Sequence, residues 1–210
     1  MHNRRFVGVA VTTLALMGTG GVATTAHAQY VAEFTPFFTS YYAVGKLAEA
    51  SSVKERQYAA PGGGARLTYW ITSSVGIEAA GAFVWSGTQF TSSDPTQTGG
   101  VSLPGTILTA NGRLVFRPAR TNLYLLVGGG MVKKGGDTWD FDFITNKTSI
   151  GGVVGFGARA NVTPQFALNV TVEGNFYKSD PDGSTGTAYD SKLQSDIYVS
   201  IGVPIGLGRR

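Results

Sequence analysis

The chain has 210 residues, with 30 glycines, 11% aromatic side chains, no cysteine and only 14% charged residues, against about 25% charged in ordinary soluble domains. Its formal charge of +4 includes two arginines at the extreme N-terminus, so the remaining basic excess is too small to point to a nucleic-acid ligand. The absence of cysteine excludes disulfide bracing and thiolate metal sites.

In chain order, residues 1–28 read as a leader. Arg4 and Arg5 precede a short apolar run from Phe6 to Met17, and Ala26-His27-Ala28 is a small-x-small cleavage site before Gln29. The expected division is therefore a cleaved secretory signal peptide, 1–28, and one domain, 29–210. No stretch of 18 apolar residues follows the leader, which excludes a helical membrane span.

Eight alternating runs follow, at 30–42, 64–71, 75–85, 106–117, 122–132, 148–162, 166–177 and 196–207. Their connections alternate in length. Thr72-Ser73-Ser74, Arg117 to Thr121 and Thr163-Pro164-Gln165 are short, whereas 43–63, 86–105, 133–147 and 178–195 are long and contain Gly, Pro, Ser and Asp. An even strand number, with short turns at one end and long loops at the other, is the layout of a bacterial outer-membrane barrel with its loops outside. The predicted fold is all-β: an eight-stranded antiparallel transmembrane up-and-down β-barrel.

The last run shows the pattern best. Ile197, Val199, Ile201, Val203, Ile205 and Leu207 alternate with Tyr198, Ser200, Gly202, Pro204 and Gly206. In the run before it, Phe166, Leu168, Val170 and Val172 alternate with Ala167, Asn169, Thr171 and Glu173. A face this polar is no buried sheet core, so it is assigned to the inside of a barrel whose outside is in lipid. The same periodicity turns Phe34, Phe38, Leu67, Tyr69, Ile77, Phe83, Trp85, Leu108, Leu114, Leu125, Val127, Ile150 and Phe156 outward, while Leu126 and Val132 fall on the inner face of the fifth run. Glu33, Arg66, Glu78, Arg113, Arg117, Arg159 and Glu173 all fall inside. An arginine at the lipid midplane costs about 2–4 kcal/mol, so lipid demands this segregation. A soluble, lipocalin-like barrel would line its ligand cavity with the aliphatic face instead; seven inward charges speak against it.

An eight-stranded interior is about filled by side chains. The seven charges are therefore expected to form an ion-pair network that plugs the lumen, Glu78 between Arg66 and Arg113, and Glu173 near Arg159. Aromatic girdles are expected from Tyr41, Tyr42, Phe83, Trp85, Phe176 and Tyr177 at the loop end, and from Tyr30, Tyr69, Phe116, Tyr124 and Phe166 at the turn end.

On these features the chain resembles the small outer-membrane barrels of the OmpA and OmpX transmembrane type. Ser200-Ile201-Gly202-Val203-Pro204-Ile205-Gly206-Leu207 is similar to the last-strand assembly signal of that class, carried by Ser200, Gly202, Ile205 and Leu207, although the chain continues to Arg209 and Arg210 instead of ending on an aromatic. The resemblance implies the barrel assembly machinery and outer-membrane lipid, including lipopolysaccharide, as partners, and a monomer; nucleic acid is not among the expected partners. The peptidoglycan-binding domain of OmpA-like proteins has no counterpart here.

Chemistry is sparse. The only histidines, His2 and His27, lie in the leader, which removes the usual general base and the common metal ligand sets. No cofactor, metal or catalytic residue is expected. Asp180-Pro181-Asp182-Gly183-Ser184 partly imitates a calcium loop but lacks its distal bidentate Glu. Asp137, Asp140 and Asp142 read as solvated loop charge. Lys133, Lys134, Lys147 and Lys178, at the outer strand ends, are placed to meet lipopolysaccharide phosphates. The expected function is that of a non-enzymatic structural or surface-interaction protein, adhesion-like, acting through its extracellular loops. The alternatives are a small gated pore and, after it, a lipid-modifying enzyme.

Overall fold

A computed structural model describes residues 30–44, 48–49, 53–92, 100–118, 121–136, 148–163, 166–179 and 192–209. The leader, the Asp137 to Asp142 and Asp180 to Ser184 stretches and Lys147 lie outside these residues. Thirteen strands are present among them: β1 (Tyr30–Ala43), β2 (Ala48–Glu49), β3 (Val53–Gln57), β4 (Ala60–Trp70), β5 (Val75–Val84), β6 (Thr88–Ser92), β7 (Gly100–Leu103), β8 (Thr106–Phe116), β9 (Leu123–Gly135), β10 (Thr148–Asn161), β11 (Ala167–Ser179), β12 (Lys192–Gly202) and β13 (Ile205–Arg209).

β1, β4, β5, β8, β9, β10 and β11 pair antiparallel in that order, and β12 with β13 forms the eighth stave, closing on β1 through Phe37↔Gly202 and Ala32↔Leu207. Closure removes every free edge, the only way strands satisfy their backbone groups in hydrocarbon. Short turns join the staves at one end; at Ile71 to Ser74 the Thr72 hydroxyl accepts from the Ser74 and Val75 amides at 3.2 and 3.0 Å.

Burial follows the alternation. In β8, buried and exposed residues alternate from Ile107 to Phe116, with Leu108, Leu114 and Phe116 open to the outside. Leu126 and Val132 are buried on the inner face of β9. Three girdle expectations fail: Tyr41 and Tyr177 are buried inside the barrel, and Tyr124 contacts the inward Thr171, because their positions share the polar phase of their strands. Tyr42, Phe83, Trp85, Phe176, Tyr69, Phe116 and Phe166 do face outward.

β4 begins at Ala60, four residues before the expected start, because Gly62 to Gly64 continue the strand instead of ending it. A Cβ on Gly64 would run into the Gly81 carbonyl and the Phe37 ring, so the neighbouring backbone comes close only to glycine here. The last stave begins earlier as well, at Lys192, and is interrupted at Val203 and Pro204. Continuing the register sets Pro36 opposite Val203 and Thr35 opposite Pro204. Val203 N donates to Pro36 O at 3.1 Å, but proline has no N–H to return. Pro204 likewise has none to offer β11, whose pairing with this stave ends at Asn169↔Gly202, and β13 is held by β1.

The long connections carry strands that the alternation did not reveal. β2, β3, β6 and β7 form a four-stranded antiparallel sheet. The β6–β7 pairs keep the offset of β5–β8, so this sheet continues the barrel wall upward. Between Gly62↔Val84 and Gln57↔Thr88, five steps on one strand oppose four on the other: a bulge, which bends the wall at the rim.

Ile201 lies in mid-strand between Phe38 and Val170, whereas Leu207 lies near the turn end beside Ala32. Arginine costs about 2–4 kcal/mol at the midplane and about 0–1 near the interface. Ile201→Arg should therefore reduce folding into lipid vesicles, followed by heat-modifiable gel migration, by more than about tenfold relative to Leu207→Arg; equal yields would contradict the placement.

Candidate functional site

The lumen is the one region where side chains from every stave converge, and its polar content is layered. Near the turn end, Arg159 Nη1 on β10 reaches both oxygens of Glu33 on β1, at 2.9 and 3.1 Å. Arg117, just beyond β8, lies over the Trp70 ring at 4.3 Å. These residues, with Thr68, Tyr124 and Asn169, surround a cavity of about 30 Å³, room for about one or two waters.

The central layer is an ion network. Arg113 on β8 donates through both terminal nitrogens to Glu173 on β11, at 2.8 and 2.9 Å, and lies 3.4 Å from Glu78 on β5. Glu78 also accepts from the Thr68 hydroxyl at 2.7 Å. Arg66 on β4 donates to Thr171 at 3.0 Å and Ser200 at 2.6 Å, stands 3.5 Å from Glu173 and stacks over Phe37 at 4.3 Å. The expected partner of Glu173 was Arg159 on the adjoining strand. The structure pairs Glu173 across the lumen with Arg113 and Arg66, and gives Arg159 to Glu33. An arginine is long enough to span so narrow a barrel, and its planar fork matches a carboxylate in two bonds.

The outer layer consists of residues that the alternation placed inside without assigning them a role. Asp196 on β12 accepts from Tyr41 at 2.9 Å and Tyr177 at 2.7 Å. Tyr41 packs edge-on against Tyr198 at 5.2 Å, and Val84, Ile107 and Val132 close the cluster. Lys134 turns inward, its Nζ 5.1 Å from the Tyr177 ring centre, so it is not available to surface phosphates as expected. Lys133 and Lys178 do point outward. The Tyr41 hydroxyl is also 2.7 Å from Gln57 Oε1, while Gln57 Nε2 has no partner. One hydroxyl proton cannot serve two acceptors; the set closes when the Gln57 amide nitrogen donates to Tyr41 and Tyr41 donates to Asp196. Gln57 ends β3, so this layer ties the extracellular sheet to the barrel mouth.

Of the positions expected to carry an assembly signal, Ser200 and Gly202 face inward, and Ile205 and Leu207 face outward. A Cβ on Gly202 would meet Pro36 O and Thr35 Cγ2 at 2.8 Å, which requires the small residue at the seam. Among the described residues no group of three or more His, Cys, Asp or Glu is placed to hold a metal ion.

A family model described as the outer membrane protein beta-barrel domain matches residues 12–204. No curated protein matches the sequence. Among solved structures, OprG of Pseudomonas aeruginosa is similar at 11% identity, with 86% of this chain and 99% of that one covered and a TM-score of 0.52. Ail, the attachment invasion locus protein of Yersinia pestis, is similar at 13% identity over 83% and 97% of the two chains, TM-score 0.45. Outer membrane protein W of Escherichia coli is similar at 14% over 84% and 100%, TM-score 0.42. At 11% identity the OprG likeness shows the barrel fold alone.

Glu173 serves two arginines, whereas Glu78 serves one at longer range. Glu173→Ala should therefore cost about 3–5 kcal/mol in urea unfolding from vesicles. Glu78→Ala should cost about 1–3 kcal/mol. Conductance bursts in planar bilayers should be more frequent for Glu173→Ala; the reverse order would contradict the central place of Glu173.

Proposed function

The chain belongs to the outer membrane protein β-barrel family and resides in the bacterial outer membrane, and on that premise we propose that it is a non-enzymatic surface-interaction protein that presents its extracellular sheet to an external partner from a plugged barrel. The observation that carries this reading is the continuation of the wall past the lipid. β3, β6 and β7 extend β4, β5 and β8 beyond the mouth, and Gln57 anchors that extension to the buried Tyr41 and Asp196. A hairpin held at its base to a rigid barrel is suited to presenting its tip.

The lumen below supports binding over transport. Its central layer joins β4, β5, β8 and β11 across the bore, and its outer layer packs Tyr41, Tyr177 and Tyr198 together. A diffusive pore needs a continuous water path, which these two layers interrupt. Catalysis finds little support either: Glu78 and Glu173, which a carboxylate mechanism would need free, are bound by Arg113 and Arg66.

Replacing Ser92 to Gly99 with an Asn-Gly turn should leave heat-modifiable migration unchanged while abolishing adherence of cells displaying the protein to a panel of extracellular-matrix proteins. The native protein, reconstituted alone in a planar bilayer, should show no steady conductance. Undiminished adherence of the variant, or large steady channels in the native form, would overturn this reading.

A further inference from the structure

A cavity larger than the one in the lumen lies outside the bore. A cleft of about 640 Å³ lies where the wall bends at the rim, between the β3–β4, β5–β6 and β7–β8 junctions, within the volume range of small-molecule sites. Pro61, Trp85, Pro104 and Thr106 line it and share the phase of the lipid-facing Phe83 and Leu108, so it opens on the outside of the barrel. Trp85 is 63% exposed and stacks edge-on against Phe83 at 5.1 Å, continuing the lipid-facing belt into the cleft.

Three features define what fits. Trp85, Leu103 and the prolines give the cleft apolar walls, while the Ser102 and Thr106 hydroxyls and the backbone at Gly87, Gly105 and Gly136 bring polar groups to it. Among the described residues no carboxylate lines it. Lys133 stands at its foot: three residues before Gly136 on β9, opposite Leu108, exposed, and in no ion pair among the described residues. Apolar rings with hydroxyls above a single outward cation, at the level where lipid gives way to headgroups, match a sugar that carries phosphate. We propose that this cleft holds the phosphorylated saccharide headgroup of an outer-leaflet glycolipid, the sugar against Trp85 and Pro61 and a phosphate on Lys133. The inference rests on the outer-membrane placement and is independent of the hairpin tip between β6 and β7.

Native mass spectrometry of the folded full chain in detergent doped with rough lipopolysaccharide, its dephosphorylated form or phosphatidylglycerol tests it. The native chain should retain one lipopolysaccharide. Trp85→Ala and Lys133→Ala should each lower occupancy by about fivefold or more. Trp85→Phe, which keeps an aromatic ring, should lose less than Trp85→Ala. Lys178→Ala, which removes an exposed cation on β11 far from the cleft, should change nothing. Dephosphorylated glycolipid should bind like the Lys133→Ala combination, and phosphatidylglycerol should not be retained. Equal loss from Lys178→Ala and Lys133→Ala, full retention by Trp85→Ala, or equal retention of phosphatidylglycerol would overturn the proposal. Heat-modifiable migration confirms folding of each variant, and because none alters the tip, a failure here leaves the surface-interaction reading to its own test.

Discussion

Every backbone N–H and C=O that crosses hydrocarbon must be paired within the wall, since lipid offers no partner and each orphan costs several kcal/mol. That requirement closes β1 on β12 and β13, and makes the seam its most exposed point. There, Pro36 and Pro204 each withhold a donor within one turn of the pleat, leaving the single bond from Val203 N to Pro36 O. Gly202 lets the backbones approach at this place, where any Cβ would meet Pro36 and Thr35. The final residues therefore depend on β1 for their pairing, and the segment from Ser200 to Leu207 keeps a regular register on either side of the break.

Closure with eight strands fixes the second constraint, the width of the bore. Charges that lipid expels from the outer face must be neutralised inside a space with little room for water. The arrangement of arginines and glutamates follows: Glu33 and Glu173 are reached by arginines across the bore, Glu78 pairs with Arg113 on the neighbouring strand, and the hydroxyls of Thr68, Thr171 and Ser200 add further bonds. The Tyr41, Tyr177 and Asp196 layer at the mouth sets two tyrosine hydroxyls on one carboxylate, with the inward Lys134 against the Tyr177 ring. Both layers thus fill the bore with paired side chains, and the rim and the sheet beyond it lie outside that packing.

Much of this was legible in the sequence because lipid imposes a strict period of two. The outward positions from Phe34 to Leu207, the short turns and the inward charges all follow from that alternation. What escaped had weaker local signals. Gly62 to Gly64 looks like a loop because glycine disfavours strands in general, yet the close approach of the Phe83 carbonyl demands it at Gly62 and that of the Gly81 carbonyl at Gly64. Val53 to Gln57 and Thr88 to Ser92 pair outside the membrane, where no lipid face enforces alternation. Partners across the bore, such as Arg113 with Glu173, depend on strand tilt and side-chain reach, and neighbouring-strand reasoning assigned Glu173 to Arg159 instead. Tyr177 could have been taken from the girdle by its phase alone, since it alternates with the outward Phe176.

Arg113 and Glu173 meet as a buried ion pair across the bore of a barrel whose wall is set in lipid. A double-mutant cycle on Arg113→Met and Glu173→Met, read as urea unfolding from lipid vesicles, tests it most directly. Each single variant should lose about 3–5 kcal/mol by stranding a buried charge. The double variant, with both charges gone, should recover at least about 2 kcal/mol relative to the sum of the two losses. Losses that simply add would show that the two side chains do not meet across the lumen and would contradict the account.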